Sequence, residues 1–346
     1  MKKLIALVML IGMTLAAVTG CSSKDTKNGD VTEANNTNQA GTNSTTNKKL
    51  YFVSLNDQGP YWMPLIESAK KTAEERGYNL IVKSGVAGDP SRPQKLLEAI
   101  QEGIDQNVAG LAMAALDPEM FDKKAEEASA KGIKVVTFDT DIATSDYRLS
   151  YIGTDNYEAG MELGKKSAAD MISKGITSGK VTCITYSGSA QNMVDRYKGL
   201  QEGFAEGMGE YADNFTWCEW IINDLSASEA KRQLESQIIA NEDLRAVFTL
   251  GTESVITGAM EAIKSQNKQG VLLHYGFDYS QTFEPGIEDE LITAIVDQNC
   301  AEIGRTIVEK MIDAAEGKEI DNTYPIAVNW VLADEIIEYG KMKMNQ

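Results

Sequence analysis

The chain has 346 residues, of which 42% are hydrophobic, so it is long enough for two domains that each bury a core. Its 33 lysines and arginines are outnumbered by 51 aspartates and glutamates, and the formal net charge is −18. Such an acidic chain repels phosphate backbones, because nucleic-acid affinity depends largely on basic side chains. We therefore expect no DNA or RNA partner.

The N-terminus has the pattern of a secretory signal. Lysines precede the apolar run "LIALVMLIGMTLAAV" (4–18), and the small residues of "VTGC" (18–21) lead to Cys21. The run is shorter than the roughly 20 residues that a membrane-spanning helix needs. It resembles a bacterial lipoprotein signal, so we expect removal of residues 1–20, lipid on Cys21, and an extracytoplasmic protein anchored to the cell membrane.

Residues 21–48 are predicted to be a flexible tether. Val31 is the one large aliphatic residue in "SSKDTKNGDVTEANNTNQAGTNSTTNK" (22–48). A stretch this polar cannot bury enough apolar surface to fold on its own. It would hold a folded body near the membrane.

The cysteines and the single histidine argue against metal or nucleophile chemistry. With Cys21 assigned to lipid, Cys183, Cys218 and Cys300 remain, an odd and widely spaced set. His274 is the only histidine, and no Cys/His cluster exists. We expect no metal, no cofactor and no catalytic residue.

From residue 49 onward, short apolar runs alternate with longer amphipathic ones. The first helical pattern is "MPLIESAKKTAEER" (63–76); Ser91 is predicted to cap a second helix, and a third extends from Asp117 to Gly132. The strand candidates are "LYFVSL" (50–55), "NLIVKSG" (79–85), "VAGLAMA" (108–114), "IKVVTFD" (133–139), "LSYIG" (149–153), "KVTCITYSG" (180–188), "FTWCEWII" (215–222), "RAVFTLG" (245–251), "VLLHYGFD" (271–278) and "ITAIVDQ" (292–298).

This alternation predicts an α/β fold with parallel sheets covered by helices on both faces. About ten strands suit two open sheets better than one, and no set of eight βα units is visible. The expected architecture is two doubly wound α/β lobes.

Ligands of such sheets bind at the carboxyl ends of the strands. Polar residues follow nearly every predicted strand, although turns and helix caps also favour them. The candidates at these ends are Asn56, Asp57 and Gln58 with the aromatic pair Tyr61 and Trp62, then Asp139, Asp141, Thr154, Arg196, Asn223, Thr252, Glu253, Asp278 and Gln298.

The residues after the strands fit an uncharged polyol better than a nucleotide. Neither "SLNDQGPYW" (54–62) nor "KSGVAGDPSRP" (83–93) is a dinucleotide-binding or P-loop sequence. Carboxylates and amides accept from hydroxyls, an arginine donates to them, and aromatic rings pack on C–H faces. A pair of aspartates could also serve a glycosidase, so hydrolysis remains an alternative.

Six strings in order, "SLNDQGPYW", "VVTFDTD", "SYIGTDNYEAG", "DRYKGLQEGF", "YGFD" and "IVDQNCAEIG", resemble the monosaccharide-binding proteins of bacterial ABC importers, of the ribose- and galactose-binding type. The similarity extends from about residue 49 to the C-terminus. It implies the type 1 periplasmic-binding-protein fold, with a three-strand hinge near Thr154/Asp155, Gln298/Asn299 and Ala327/Val328. The implied lobes are 49–154 plus 299–327 and 155–298 plus 328–346.

The resemblance also implies roles for individual residues. Tyr61 and Trp62 would stack on the sugar, Asp139 and Asp278 would accept from its hydroxyls, and Arg196 would donate. Gln298 matches the polar residue before the last hinge segment.

Several positions depart from the family pattern, among them Thr140, which follows Asp139 where some relatives have a basic residue. After "AVFTL" (246–250) the family usually has an asparagine, whereas this chain has Thr252 and Glu253 nearby. Strand three ends near Ala114, where a polar contact is common. The identity of the sugar therefore stays open.

The implied mechanism is capture by closure of the lobes, followed by delivery to an ABC permease and, in some members, to a chemoreceptor or sensor kinase. Alternatives with the same fold are a furanose signal molecule, an inositol or a nucleoside as ligand. A cell-surface glycoside-processing enzyme is a further alternative. A transcriptional repressor would carry a basic helix-turn-helix where this chain has its signal.

Overall fold

The computed structural model describes residues 48–223, 226–251 and 253–344, and two sheets organise this part of the chain. The predicted signal, Cys21 and all of the predicted tether except Lys48 lie outside it. In chain order the strands are β1 (Lys49–Ser54), β2 (Asn79–Ser84), β3 (Gly110–Met113), β4 (Lys134–Phe138), β5 (Ser150–Thr154), β6 (Gly179–Thr185), β7 (Phe215–Trp217), β8 (Ile221–Ile222), β9 (Leu244–Thr249), β10 (Leu273–Phe277), β11 (Ala294–Gln298), β12 (Thr323–Ile326) and β13 (Val328–Leu332).

The first sheet has the order β12-β5-β4-β3-β1-β2, and all of its pairs are parallel. The second has the order β13-β11-β10-β9-β6-β7, with β8 also beside β6. Within the described residues, β11 and β13 form its antiparallel pair. The expectation of two α/β lobes with parallel sheets is confirmed.

Helices cover both faces of each sheet. In chain order they are α1 (Gly59–Glu75), α2 (Arg92–Asp105), α3 (Pro118–Ala130), α4 (Asn156–Ser173), α5 (Gln191–Met208), α6 (Ala227–Ala240), α7 (Glu253–Ser265), α8 (Glu284–Glu288), α9 (Cys300–Ala315) and α10 (Ile336–Met344). None of them is long and apolar enough to cross a membrane.

Strand β1 shows why its apolar run is unbroken. Leu50 and Phe52 pack on one face with α1 and α9, whereas Tyr51 and Val53 pack on the other with α2 and α3. All four side chains are fully buried. Successive residues of a strand point to opposite faces, so a strand buried on both faces must be apolar at every position.

The chain passes between the two sheets three times. It leaves the first sheet after β5 and enters α4, which packs on α5 and β11. It returns after β11 through α9, which packs on α1 and β4. The short step from β12 to β13 is the third crossing. These three connecting segments bring the carboxyl ends of β5 and β11 together.

Glycines allow α4 and α5 to pack with their backbones in contact. A Cβ on Gly160 would lie 2.2 Å from the Arg196 carbonyl oxygen, and a Cβ on Gly199 would lie 2.1 Å from that of Tyr157. Real Cβ atoms never approach so closely, so both positions require glycine. The contact sets the first turn of α4 against the middle of α5.

Three local predictions need correction. Helix α1 begins at Gly59 rather than at residue 63, which places Tyr61 and Trp62 in its first turn. Ser91 holds the predicted N-cap position of α2, but its side chain makes no capping bond, because its hydroxyl donates to Asp89 Oδ1 at 2.7 Å. By contrast, the Asp117 carboxylate does accept the Met120 N–H at 2.9 Å, as expected of a cap.

The third correction concerns residues 215–222, which form two short strands instead of one. Trp217 meets the Tyr197 ring edge-on at 5.9 Å between centroids, and Trp220 stacks on the same ring at 4.4 Å. Residues three apart point to opposite faces of a continuous strand. The chain must therefore break between β7 and β8 for both indoles to reach Tyr197.

Candidate ligand-binding site

Polar side chains from both sheets meet around a small, nearly closed cavity. It lies where the carboxyl ends of β4, β5 and β11 approach the first turns of α1, α4 and α5, the usual place for a ligand in open α/β sheets. The lining residues are Tyr61, Asp139, Tyr151, Thr154, Asn156, Asn192, Arg196 and Gln298.

Asp139 presents a carboxylate to this cavity from the end of β4. Its φ is +58°, in the left-handed region that few non-glycine residues adopt. Burial raises the pKa of the Asp139 carboxyl, while hydrogen bonds from the Thr140 and Tyr61 hydroxyls and the charge of Arg196 oppose that rise. The Tyr151 hydroxyl donates to the Asp139 carbonyl oxygen at 3.1 Å and holds the turn.

Arg196 presents a guanidinium from α5 on the other side of the cavity. The residue is only 5% exposed, and its guanidinium lies 3.8 Å from the centroid of the Phe277 ring. Its Nε donates to Asn156 Oδ1 at 2.8 Å, a contact that the close packing of α4 on α5 allows. Since Nε is engaged, the side chain is oriented and its terminal nitrogens can donate elsewhere.

Gln298 joins the two lobes at the end of β11. Its Oε1 accepts from the Thr154 hydroxyl at 2.7 Å, and its Nε2 donates to Asp278 Oδ1 at 2.8 Å. Asp278 follows β10 and has a φ of +72°. Asp278 is absent from the cavity lining, but it lies directly behind Gln298.

The two predicted aromatic residues have different positions. Tyr61 lines the cavity, whereas Trp62 does not. Their rings meet edge-on at 4.9 Å, and Trp62 also meets Phe138 edge-on at 6.4 Å. Both are half-buried against the core of the first lobe. Burial, followed by the charge of Asp139, raises the pKa of the Tyr61 hydroxyl well above its usual range.

The polar turn before α1 does not reach the cavity. Asn56 Oδ1 accepts the backbone N–H groups of Asp57 at 2.9 Å and Gln58 at 3.4 Å, and the Gln58 amide donates to the Asp57 carboxylate. Asp57 and Gln58 are exposed. These three predicted site residues mainly satisfy one another.

Three more candidates have partners away from the cavity. Asp141 accepts from the Arg148 guanidinium at 2.7–3.0 Å through both carboxylate oxygens. Asn223 exchanges bonds with the backbone of Ser226. Glu253 begins α7 and accepts from the Ser280 hydroxyl at 3.0 Å. Thr252 lies outside the described residues.

The sequence reasoning assigned no role to three residues that line the cavity. Tyr151 lies inside a strand and Asn192 inside a helix, so neither follows a strand end, whereas Asn156 follows β5. Arg92, in the first turn of α2, has a buried Nε without a hydrogen-bond partner. Burial lowers the pKa of Arg92, and the charge of Asp139 opposes this.

The residues that the structure describes offer no metal arrangement at this cavity. No cluster of three His, Cys, Asp or Glu side chains among them could hold a metal ion. His274 is buried in the second lobe between the Thr249 hydroxyl at 2.9 Å and the Leu291 carbonyl at 3.0 Å. Two lobes that place donors and acceptors around one cavity define a binding protein for a small polar solute.

Comparison with known proteins identifies the family. A model of the periplasmic binding protein domain matches residues 50–319, and the chain belongs to this family. The resemblance seen in the sequence and the type 1 fold are thereby confirmed. Members of the family bind solutes, so the expectation that this chain is not an enzyme is confirmed as well.

Individual relatives are distant but match over most of their length. A ribose import binding protein of Salmonella typhimurium is 25% identical over 332 residues, which cover 96% of this chain and 99% of that protein. A D-allose-binding periplasmic protein of Escherichia coli is 24% identical over 276 residues, covering 75% and 82%. The crystal structure of GanP, a glucose-galactose binding protein from Geobacillus stearothermophilus, has a TM-score of 0.70 at 22% identity, covering 83% and 98%.

Proposed function

We propose that this chain captures a monosaccharide between its lobes and delivers it to the permease of an ABC importer. One observation carries the proposal: Asp139 from the first lobe and Arg196 from the second line the same cavity. A sugar hydroxyl is both a donor and an acceptor, so one ring can bond to the carboxylate and to the guanidinium. Such a ligand binds the closed arrangement better than an open one and so favours closure.

The charges near the cavity favour an uncharged ligand. Arg196 contributes one cationic group to the lining and Asp139 one anionic group, so the lining carries no net charge. A ligand with its own net charge would leave one group unpaired in a partly buried site, which is costly. The names of the relatives point the same way, because they specify ribose, D-allose, glucose and galactose.

We further propose that the protein works outside the cytoplasm, held by lipid on Cys21 and the tether over residues 21–48. The lobes would comprise 49–154 plus 299–327 and 155–298 plus 328–346. The division of strands between the two sheets supports these boundaries, since β12 joins the first sheet and β13 the second. The signal pattern at residues 4–21 supports the anchor.

A thermal-shift screen of the purified protein tests the ligand class. The panel contains D-ribose, D-xylose, L-arabinose, D-glucose, D-galactose, D-allose, myo-inositol, adenosine and amino acids. We expect at least one monosaccharide to raise the melting temperature, because a ligand that binds only the folded state stabilises it by mass action. A response to adenosine, myo-inositol or amino acids without any response to a monosaccharide would refute the proposal.

The control in this screen is the variant Arg196→Ala, whose shift with the active sugar should disappear. Analysis of the recovered sugar by mass spectrometry distinguishes binding from turnover. An altered sugar would favour a glycoside-processing enzyme instead.

A further inference from the structure

The C-terminal helix α10 inserts a buried cation beside the crossing from β11 to α9. Lys343 Nζ lies 2.7 Å from both carboxylate oxygens of Asp297 and 3.3 Å from the carbonyl oxygen of Gln298. The Lys343 side chain is 6% exposed and that of Asp297 is not exposed at all. An ion pair this buried is unusual, because both charges lose their hydration.

Further hydrogen bonds complete the shell of the Asp297 carboxylate. The Tyr279 backbone N–H donates to Oδ1 and the Tyr339 hydroxyl to Oδ2, each at 2.7 Å. The ion pair thus ties three parts of the second lobe together: β11, the segment after β10, and α10. Breaking one partner would leave the other charge buried and uncompensated.

The neighbour of Asp297 in β11 is the residue that joins the lobes. Side chains alternate along a strand, so Asp297 points toward α10 while Gln298 points toward the ligand cavity. Gln298 holds Thr154 of the first lobe and Asp278 of the second through its amide, and Lys343 through its backbone carbonyl. Restraint of this short segment by Lys343 therefore acts on both lobes.

Helix α10 is closely fitted to the second lobe and also reaches the first. A Cβ on Gly340 would lie 2.1 Å from Tyr279 Oη, so the helix contacts that ring directly. It also contacts α1. Movement of the lobes must therefore change the surroundings of α10.

A cavity of about 270 Å³ lies on this side of the crossing, bordered by residues 297–301, Asn329, Tyr339, Met342 and Lys343. Residues 297–301 belong to the segment from β11 to α9, and Asn329 lies in β13 just after the step from β12. The cavity thus borders two of the three connecting segments. The bonds from Lys343 to Asp297 and to the Gln298 carbonyl are therefore among the restraints on the segment from β11 to α9.

We propose that Lys343 and Asp297 are positioning residues that hold Gln298 in place and thereby set how readily the lobes close on a ligand. Neither residue contacts the ligand cavity; they act through the backbone and side chain of Gln298. The inference rests on the proposed function, because it assumes that closure accompanies ligand capture.

The test compares the wild-type protein with the double variant Asp297→Asn, Lys343→Met. Removing both charges together avoids leaving one buried alone, and asparagine keeps an acceptor for the Tyr279 N–H. The control is Lys341→Met, which changes an exposed lysine of the same helix paired with Glu338.

Hydrogen exchange measured by mass spectrometry without any sugar is the first readout. We expect peptides over residues 150–156 and 294–299 to exchange about tenfold faster in the double variant, since local opening there becomes easier. Peptides over β3 and β9 should be unchanged, and Lys341→Met should behave as wild type. Unchanged exchange at the crossings, or equal acceleration everywhere, would overturn the inference and indicate a merely structural pair.

Affinity for the monosaccharide that raises the melting temperature most in the thermal-shift panel, measured by calorimetry, is the second readout. The double variant should bind about tenfold more weakly, because apparent affinity falls with the fraction of binding-competent protein. If the wild-type protein binds no sugar, the proposed function is wrong. The hydrogen-exchange result then still decides whether Lys343 restrains the crossing from β11 to α9. Equal affinity in a double variant with faster exchange would also overturn the proposed coupling to capture.

Discussion

Asp139 and Asp278 have the same local structure in the two lobes: each directly follows a central parallel strand, β4 or β10, and each has a left-handed backbone, with φ of +58° and +72°. Such a conformation costs energy for a non-glycine residue and is found where surrounding structure enforces it, often at binding sites. Asparagine tolerates this region well, which makes Asp→Asn a substitution that changes charge without adding strain.

We therefore expect Asp139→Asn to weaken monosaccharide binding by roughly tenfold or more, because a charged acceptor contributes about 1.5–3 kcal/mol to a hydrogen bond. Calorimetric titration with the active sugar measures this. The control is Asp141→Asn, which leaves the Arg148 guanidinium one neutral acceptor in place of a carboxylate, away from the cavity; its melting temperature should fall while its affinity is kept. If Asp141→Asn lost affinity and Asp139→Asn kept it, Asp141 rather than Asp139 would be the carboxylate that binds the ligand.

Arg196→Lys should weaken binding severely although the charge is retained. A lysine cannot keep both the bond to Asn156 and the stacking on Phe277, so the ammonium would be differently placed. We expect a loss of about ten- to a hundredfold in affinity, in line with the value of charged hydrogen bonds. Lys198→Arg, on an exposed position of the same helix, should leave affinity unchanged. Comparable affinity of Arg196→Lys and wild type would remove Arg196 from the site.

Loss of the close glycine contact between α4 and α5 should reduce both the affinity for the ligand and the free energy of unfolding. Gly199→Ala would force α5 away from Tyr157 at the start of α4 and so disturb the bond between Asn156 and Arg196. Overpacking of this kind costs about 1–3 kcal/mol of folding free energy.

The comparison for Gly199→Ala is Ala205→Gly, an exposed position on α5 that also changes one methyl group and costs about 1 kcal/mol through helix propensity. Urea unfolding should show both variants destabilised, and titration should show weaker binding only for Gly199→Ala. Equal affinities would mean that the helix contact does not position Arg196.

The buried His274 should make stability depend on pH. Burial lowers the pKa of its imidazole to about 4, against 6.5 in an ordinary environment. The unfolded chain therefore takes up a proton at a higher pH than the folded one. The stabilisation is complete above pH 6.5 and is lost as the pH falls toward 4, by about 3 kcal/mol for this group.

Urea unfolding at pH 7 and pH 5 in wild type and His274→Gln measures this effect. The decrease in unfolding free energy between the two pH values should be smaller in the variant. Because the chain has a single histidine, its ring NMR signal gives the folded pKa directly. A folded pKa near 6.5 would contradict the prediction.

The sequence predicted the sheets better than the site. Apolar runs such as residues 50–55 indicate that a strand is buried on both faces. This pattern is local, so it can be interpreted without knowing which elements pack on the strand. The end of a strand indicates where a polar residue lies in the sheet, but not which residues it bonds to. Asn56 and Asp141 follow strands as Asp139 does, yet one bonds to its own turn and the other to Arg148.

Tyr151 and Asn192 reach the cavity from inside an element and carried no local signal. Tyr151 is one of several polar-tipped residues in β5, and Asn192 is an ordinary residue of a helix N-terminal turn. Their placement depends on how strands align across the sheet and on how α5 approaches α4. Those are properties of packing between distant segments, and single-sequence patterns do not contain them.

The side-chain amide of Gln298 has a direction that chemistry imposes. Its oxygen faces the hydroxyl of Thr154 and its nitrogen faces the carboxylate of Asp278. The hydroxyl could accept as well as donate, but a flip of the amide would set its oxygen against the carboxylate and break the bond to Asp278. A glutamate at this position would have the same shape but no donor, and it would repel Asp278. Glutamine and glutamate have nearly the same shape, yet they differ at the atom that faces Asp278. Position 298 should therefore accept glutamine and reject glutamate in a library of variants selected for ligand binding.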